Sequence, residues 1–306
     1  METRKVGSLH VSVVGLGCNN FGRRLDAAQT AAVVDAALDA GINFFDTADV
    51  YGGGQSEEFI GRALGSRRNA VVIATKFGNR MEGQGSGASA AYVRQACEAS
   101  LRRLGTDYID LYQLHRPDPQ VPIAETLGAL DELVRAGKVR EIGCSNFSAE
   151  QIREAEAAHA GGARFVSVQN EYSLLKRDVE RDVLPECERA GLTFLPYFPL
   201  ASGLLTGKYR RGEPAPSGSR LAGGGRANQL SDQNLAIVEE LIRFAEARGH
   251  TILELAFSWL LTRPVVASVI AGATKPEQVH ANTGAAQWRL TADELGEIDR
   301  IVGWEK

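Results

Sequence analysis

Short apolar runs rich in β-branched residues alternate eight times with longer amphipathic stretches along the 306 residues. The runs are VSVVGLG (11 to 17), INFFDT (42 to 47), AVVIATK (70 to 76), YIDLYQLH (108 to 115), VREIGC (139 to 144), FVSVQN (165 to 170), LTFLPY (192 to 197) and ASVIAG (267 to 272). Each is short and mostly apolar, as a strand buried in a parallel sheet must be. Between them, AAQTAAVVDAALDAG (27 to 41) sets Val33, Val34, Ala37 and Leu38 on one helical face and ends in Gly41, a residue suited to a left-handed cap. AAYVRQACEASLRRLG (90 to 105) and AETLGALDELVRAG (124 to 137) close on glycine in the same way. Eight strand–helix units predict an α/β fold of the closed (β/α)8 TIM-barrel kind. An open doubly wound sheet would more often carry a dinucleotide fingerprint, and the first strand here runs into GLGCNNFG, which is not G-x-G-x-x-G.

Two segments exceed the eight-unit plan: LSDQNLAIVEELIRFAEARG (230 to 249), ahead of the helix ILELAFSWLLTR, and TADELGEIDRIVG (291 to 303). They predict extra helices after strand seven and at the C-terminus. The Gly-, Pro-, Ser- and Arg-rich stretch between Lys208 and Gln229 is expected as a long mobile loop on the catalytic face. No compositional break marks a boundary, so 1–306 is read as a single domain.

With 44% hydrophobic and 24% charged residues the chain has ample material for a core. A net charge of −4 leaves no basic field for nucleic acid or anionic lipid. Cys18, Cys97, Cys144 and Cys187 stand singly, without C-x-x-C, and no two histidines are spaced i, i+4, so no metal site is expected and the thiols are read as reduced. Met1 to Ser12 is polar and no run approaches the roughly 18 apolar residues of a membrane span, which points to the cytoplasm.

In such a barrel the chemistry sits where strands end. Strand two delivers Asp46 and, after a short loop, Tyr51; strand three delivers Lys76; strand four delivers His115. Ser145 and Asn146 follow strand five, Gln169 and Asn170 end strand six, and Tyr197 ends strand seven. Singly, each has an ordinary structural explanation: a helix cap, a snorkelling lysine, a core histidine, a packed aromatic. Together they converge on one mouth, where an unpaired charge is expensive unless Asp46 and Lys76 pair. A cation beside Tyr51 is expected to lower its phenol pKa, allowing it to protonate a developing alkoxide, with a neutral His115 holding the carbonyl. Paired carboxylates and a Ser/His/Asp set are missing from this group, so reduction of a carbonyl by an external hydride fits better than hydrolysis.

The stretches FDTADVYGGGQSEEFIGRAL, VVIATKFG, LGTDYIDLYQLHRPD, GKVREIGCSNFS, VQNEYSLL, YFPLASGLLTGKY and IAGATKPEQVHAN together resemble the aldo-keto reductases over nearly the whole chain. The resemblance implies a barrel that binds NADPH, or less often NADH, in extended form. It implies Asp46, Tyr51, Lys76 and His115 as the catalytic tetrad, with Tyr51 as general acid. Ser145, Asn146 and Gln169 would meet the nicotinamide carboxamide, and Tyr197 would stack on the ring. Phe198, Pro199, Leu200, Gly203 and Leu204 are carried over as further cofactor contacts. Gly272, Lys275, Gln278 and Asn282 lie on the adenosine side, near a helix start that favours phosphate.

The chain departs from the family pattern in having Tyr197-Phe198-Pro199 where a serine often follows the tyrosine, Ala281 before Asn282, and no clear arginine for a 2′-phosphate. Lys275 is the expected substitute, and the loop carrying Arg226 is the next candidate. The glycines after Tyr51 are read as a turn, with Ser56 as N-cap of the next helix.

The partner is a small-molecule carbonyl or alcohol, met by loops holding Asn19, Asn20, Phe21, Val50, Phe77, Arg116 and the segment after Gly207. The same machinery run backwards is an aldose or alcohol dehydrogenase. Two other readings stay open: a nicotinamide-binding regulatory subunit similar to potassium-channel β subunits, and an aldolase using Lys76 as a Schiff-base nucleophile.

Overall fold

The computed structural model describes residues 1–83, 85–222 and 229–304. Its first two strands, β1 (Thr3–Val6) and β2 (Leu9–Ser12), form an antiparallel hairpin joined by Gly7 and Ser8. Eight parallel strands follow: β3 (Val14–Gly17), β4 (Phe44–Asp46), β5 (Val72–Phe77), β6 (Ile109–Leu114), β7 (Val139–Ser145), β8 (Phe165–Glu171), β9 (Thr193–Tyr197) and β10 (Val269–Gly272). Their order is β10-β3-β4-β5-β6-β7-β8-β9. The last seam is drawn together by a single bridge between Phe194 and Val266, with Phe194 N donating to Val265 O at 2.7 Å. The sheet is thus a nearly closed barrel, and all eight expected strands are present.

Helices α1 (Ala27–Asp39), α2 (Gln55–Leu64), α3 (Ala90–Leu104), α4 (Ile123–Arg135), α5 (Ala149–Ala158) and α6 (Val183–Ala190) each return the chain from one strand to the next. The two extra helices are α7 (Asp232–Glu246), which precedes α8 (Ile252–Leu261), and α10 (Ala292–Ile301), which follows α9 (Pro276–Gly284). Local signals set the boundaries. In α1 the Asp26 carboxylate accepts from Gln29 N while the Gln29 side chain returns to the Asp26 backbone, satisfying two free donors, and Val33, Val34 and Ala37 turn inward. No helix among the described residues is long and apolar enough to cross a membrane. All four cysteines are buried and unpaired.

The hairpin corrects the sequence reading, which assigned 11 to 17 to one strand. The chain bends at Val13 between β2 and β3, and beside the bend Ser12 N donates to Asn43 Oδ1 at 2.7 Å and Ser12 Oγ to Val14 O at 2.7 Å. Val6, Leu9 and Val11 of the hairpin then pack with Phe44, Val72, Leu111 and Leu195 as a second core, stopping the barrel at its N-terminal end. The missed signal was a two-residue Gly-x loop between short alternating runs.

At the α2–α3 crossing, Gly61 allows backbone contact: a Cβ there would lie 2.3 Å from Leu104 O. Gly61→Ala is expected to destabilise the protein by about 1–3 kcal/mol through overpacking, visible as a lower urea midpoint at unchanged slope.

Candidate active site

The four polar side chains singled out at the strand ends meet at the carboxyl end of the barrel. Lys76 is fully buried, and its three ammonium protons are all placed: on Asp46 Oδ1 and Oδ2, both at 2.8 Å, and on Thr47 O at 2.7 Å. Burial opposes its charge, but the attraction of Asp46, the neighbouring Tyr51 and the hydrogen bonds outweigh it and carry the lysine above its ordinary pKa.

Tyr51 begins a tight turn in which Gly52, Gly53 and Gly54 have φ of +60°, +66° and +99°. A Cβ on Gly52 would also sit 2.8 Å from Phe21 O, so this residue answers both to its backbone angle and to a close chain approach. The turn leaves the Tyr51 ring centroid 5.5 Å from Lys76 Nζ and places the ring edge-on to His115, 6.0 Å between centroids at 81°. Ser56 is not the helix cap: Gly54 occupies that position, and Ser56 Oγ lies 2.8 Å from Thr47 Oγ1 and donates to Cys18 O at 3.0 Å.

The expected fall in the Tyr51 pKa is also corrected. Burial is the larger influence and holds the phenol above the ordinary tyrosine value; Lys76 pulls it down and Asp46 pushes it up again. A phenol so held keeps its proton until one is demanded. Burial, with the charges of Lys76 and Arg116, lowers His115 to about 3, so its imidazole is neutral near pH 7.

Around this centre side-chain hydrogen bonds tie the strand ends together. Gln169 Nε2 donates to Asp46 Oδ1 at 2.8 Å, making it a further partner of the ion pair, and Ser145 Oγ donates to Gln169 O at 2.7 Å. Asn146, left-handed at φ +61°, donates from Nδ2 to His115 O at 2.9 Å and accepts from Tyr197 Oη at 2.7 Å. Asn170 Nδ2 donates to Phe147 O at 2.8 Å.

Asp46, Tyr51, His115, Ser145, Asn146, Gln169 and Tyr197 floor a cleft of about 650 Å³. Asn19, Asn20 and Arg116 are on its wall, as are Phe198, Pro199, Leu200, Gly203, Gly272, Gln278 and Asn282. Leu204 is buried and Lys275 is exposed at the N-cap of α9; neither is a wall residue. Of the loop residues expected to meet substrate, Phe21 and Phe77 are buried in the core, Phe77 stacked on Tyr112 at 4.7 Å, and Val50 does not reach the cleft. Arg226 lies outside the described residues.

The segment after Gly207 reaches this cleft as expected, as a strap whose contacts the sequence did not announce. Residues 216 to 220 line it, with Arg220 Nη2 donating to Asn20 Oδ1 at 3.1 Å and to Asn19 Oδ1 at 3.3 Å, and Arg24 Nη2 donating to Gly218 O at 2.6 Å. No local pattern announces a contact between loops 200 residues apart.

The residues present fit a dinucleotide. Arg24, Lys208 and Arg220 put positive charge on the wall, while Asp46, the one carboxylate among the described wall residues, is paired with Lys76. Ser202, on the same wall, has a buried hydroxyl without a partner among the described residues and a left-handed φ of +58°. Strain and an unsatisfied donor in one short turn are typical of a ligand-holding segment.

Fold and cleft together define a (β/α)8-barrel protein whose long groove carries a phenol, an imidazole and a lysine–aspartate pair at its floor. A profile of the Aldo/keto reductase family matches residues 13–302, and the chain belongs to that family of NAD(P)H-dependent oxidoreductases. "Probable aldo-keto reductase 1" of Glycine max is 39% identical over 302 residues, covering 95% of this chain and 86% of that protein. Among solved structures, the glycerol dehydrogenase AKR11B4 from Gluconobacter oxydans superposes with a TM-score of 0.86 at 33% identity, over 98% of this chain and 95% of that one. The aldo-keto reductase AKR11C1 from Bacillus halodurans, in its holo form, gives 0.83 at 36% identity, over 98% and 96%.

Proposed function

We propose that residues 1–306 act as one unit that reduces an aldehyde, ketone or sugar carbonyl with NADPH, Tyr51 serving as general acid. The carrying observation is a half-buried phenol beside a fully bonded Lys76–Asp46 pair and a neutral imidazole at the floor of the cleft. When bound, the nicotinamide supplies the hydride that goes to the carbonyl carbon. Tyr51 gives its proton to the carbonyl oxygen, so that C=O becomes CH–OH, and Lys76 favours the phenolate left behind. His115 orients the oxygen without competing for the proton, since a group near 3 is uncharged at neutral pH. Ser145, Asn146, Gln169 and Tyr197 present hydrogen-bonding groups and a ring for the nicotinamide end, while Arg24, Lys208 and Arg220 suit phosphates, including the additional one of NADPH.

The Schiff-base alternative loses support here, because a nucleophilic lysine must shed its proton and Lys76 holds all three in bonds. Oxidation of an alcohol by the same steps in reverse is a second reading, favoured by the likeness to a protein named glycerol dehydrogenase. Titration with NADPH and NADH is expected to quench protein fluorescence, with NADPH binding more tightly. Binding of neither below about millimolar, a level worth only about 4 kcal/mol, would remove the reading.

A further inference from the structure

The reductase reading leaves one charged wall residue without a task. Arg116 directly follows His115 and lines the same cleft as Tyr51 and His115. Its side chain is exposed and, among the described residues, has no ion pair or hydrogen bond. The nearest carboxylate along the chain, Asp118, is already engaged by backbone donors, its Oδ2 by Ala88 N and its Oδ1 by Gln120 N, both at 3.0 Å.

The position of Arg116 also separates it from the phosphate-suited end. It stands at the end of β6, and β10, which leads into the N-terminus of α9, is the fourth strand away in a ring of eight. The two are therefore on opposite sides of the barrel mouth. Arg24 and Arg220, by contrast, are tied to the strap and the loop after β3, beside β10 in the ring.

A guanidinium left unpaired next to the reacting centre is a fork for a carboxylate or phosphate, and its value rises as a bound substrate excludes water from the cleft. We propose that Arg116 receives an anionic group on the substrate, so that the preferred substrates of this reductase are carbonyl compounds carrying a carboxylate or a phosphate. This deepens the reductase reading and rests on it.

The test compares kcat/KM, with NADPH, for two pairs differing in charge: 4-carboxybenzaldehyde against its methyl ester, and glyceraldehyde 3-phosphate against glyceraldehyde. The anionic member of at least one pair is expected to be preferred by roughly tenfold or more, the range of a charge-assisted hydrogen bond, and the pair that responds identifies the anion. Arg116→Gln is expected to bring that ratio close to one, chiefly through KM, and Arg116→Lys to retain part of it. Ratios at or below one in the native protein, with the neutral compounds reduced, overturn this inference and leave the reductase reading intact. So does a preference that survives Arg116→Gln, or an Arg116→Gln effect found in NADPH affinity and not in the ratio. Failure of every compound to be reduced overturns both.

Discussion

Tyr51→Phe is expected to slow hydride transfer by a hundredfold to ten-thousandfold or more, the span of general acid catalysis, while NADPH still binds. The phenol acts on the substrate oxygen, and the groups suited to the nucleotide are elsewhere on the cleft wall. Its companion needs care. Lys76→Met alone strands the buried Asp46 with only Gln169 as a side-chain partner, and breaking a buried pair costs about 3–5 kcal/mol. The cleaner change is Asp46→Asn with Lys76→Met, which removes both charges.

That double variant is expected to impair transfer comparably and to move the remaining pH dependence modestly upward, because Lys76 lowers the Tyr51 phenol more than Asp46 raises it and both are gone. Adding Tyr51→Phe to it should cost far less than the product of the separate losses, since members of one catalytic unit are not additive. Single-turnover transfer from bound NADPH reads all three. Full-rate transfer by Tyr51→Phe would mean that the proton comes from another group.

The second large effect concerns Asp49, two residues before Tyr51. Its carboxylate is 1% exposed and, among the described residues, neither oxygen has a well-formed hydrogen bond, the adjacent Val50 N–H giving only a weak pull downward. Burial, with repulsion from Glu57, raises its pKa from 3.8 to about 7. Glu57 cannot help, since Thr75 Oγ1 donates to its Oε1 at 2.6 Å and Arg103 Nε to its Oε2 at 2.7 Å. A group raised on folding contributes stability that is fully present below its unfolded pKa and is lost as pH rises through its folded one. Asp49 therefore weakens the protein progressively between about pH 4 and pH 7.

Asp49→Asn, a neutral isostere, is expected to match the native protein near pH 4 and to exceed it in stability near pH 8 by about 2–4 kcal/mol, the upper figure following from 1.36 kcal/mol for each pKa unit. Denaturant unfolding at both pH values measures it. Equal differences at the two pH values would show that Asp49 does not change its protonation on folding.

Much of this architecture was legible in one dimension. The eightfold alternation predicted the barrel, and the positions of α7 and α10 followed from amphipathic runs, because a strand's period of two and a helix's of 3.6 are written by neighbours in sequence. The glycines after Tyr51 read correctly as a turn for the same reason: φ above zero is a local demand. The convergence of Asp46, Tyr51, Lys76 and His115 could also be foreseen, since parallel strands in one barrel bring their carboxyl ends to one face.

Other features needed the assembled molecule. The β1–β2 hairpin reads only as a polar stretch ahead of the first strand until Val6, Leu9 and Val11 find the end of the barrel. Gln169 becomes a partner of Asp46 across 123 positions, and the strap reaches Asn20 across 200. Protonation was the furthest from view: the Tyr51 phenol lies above its ordinary value where a neighbouring cation alone argued for a fall, and Asp49 carries a shift that no spacing announces. Residue type and periodicity are properties of the chain. Desolvation belongs to the volume that the packed chain encloses, and in this site it outweighs the charge that the sequence places beside Tyr51.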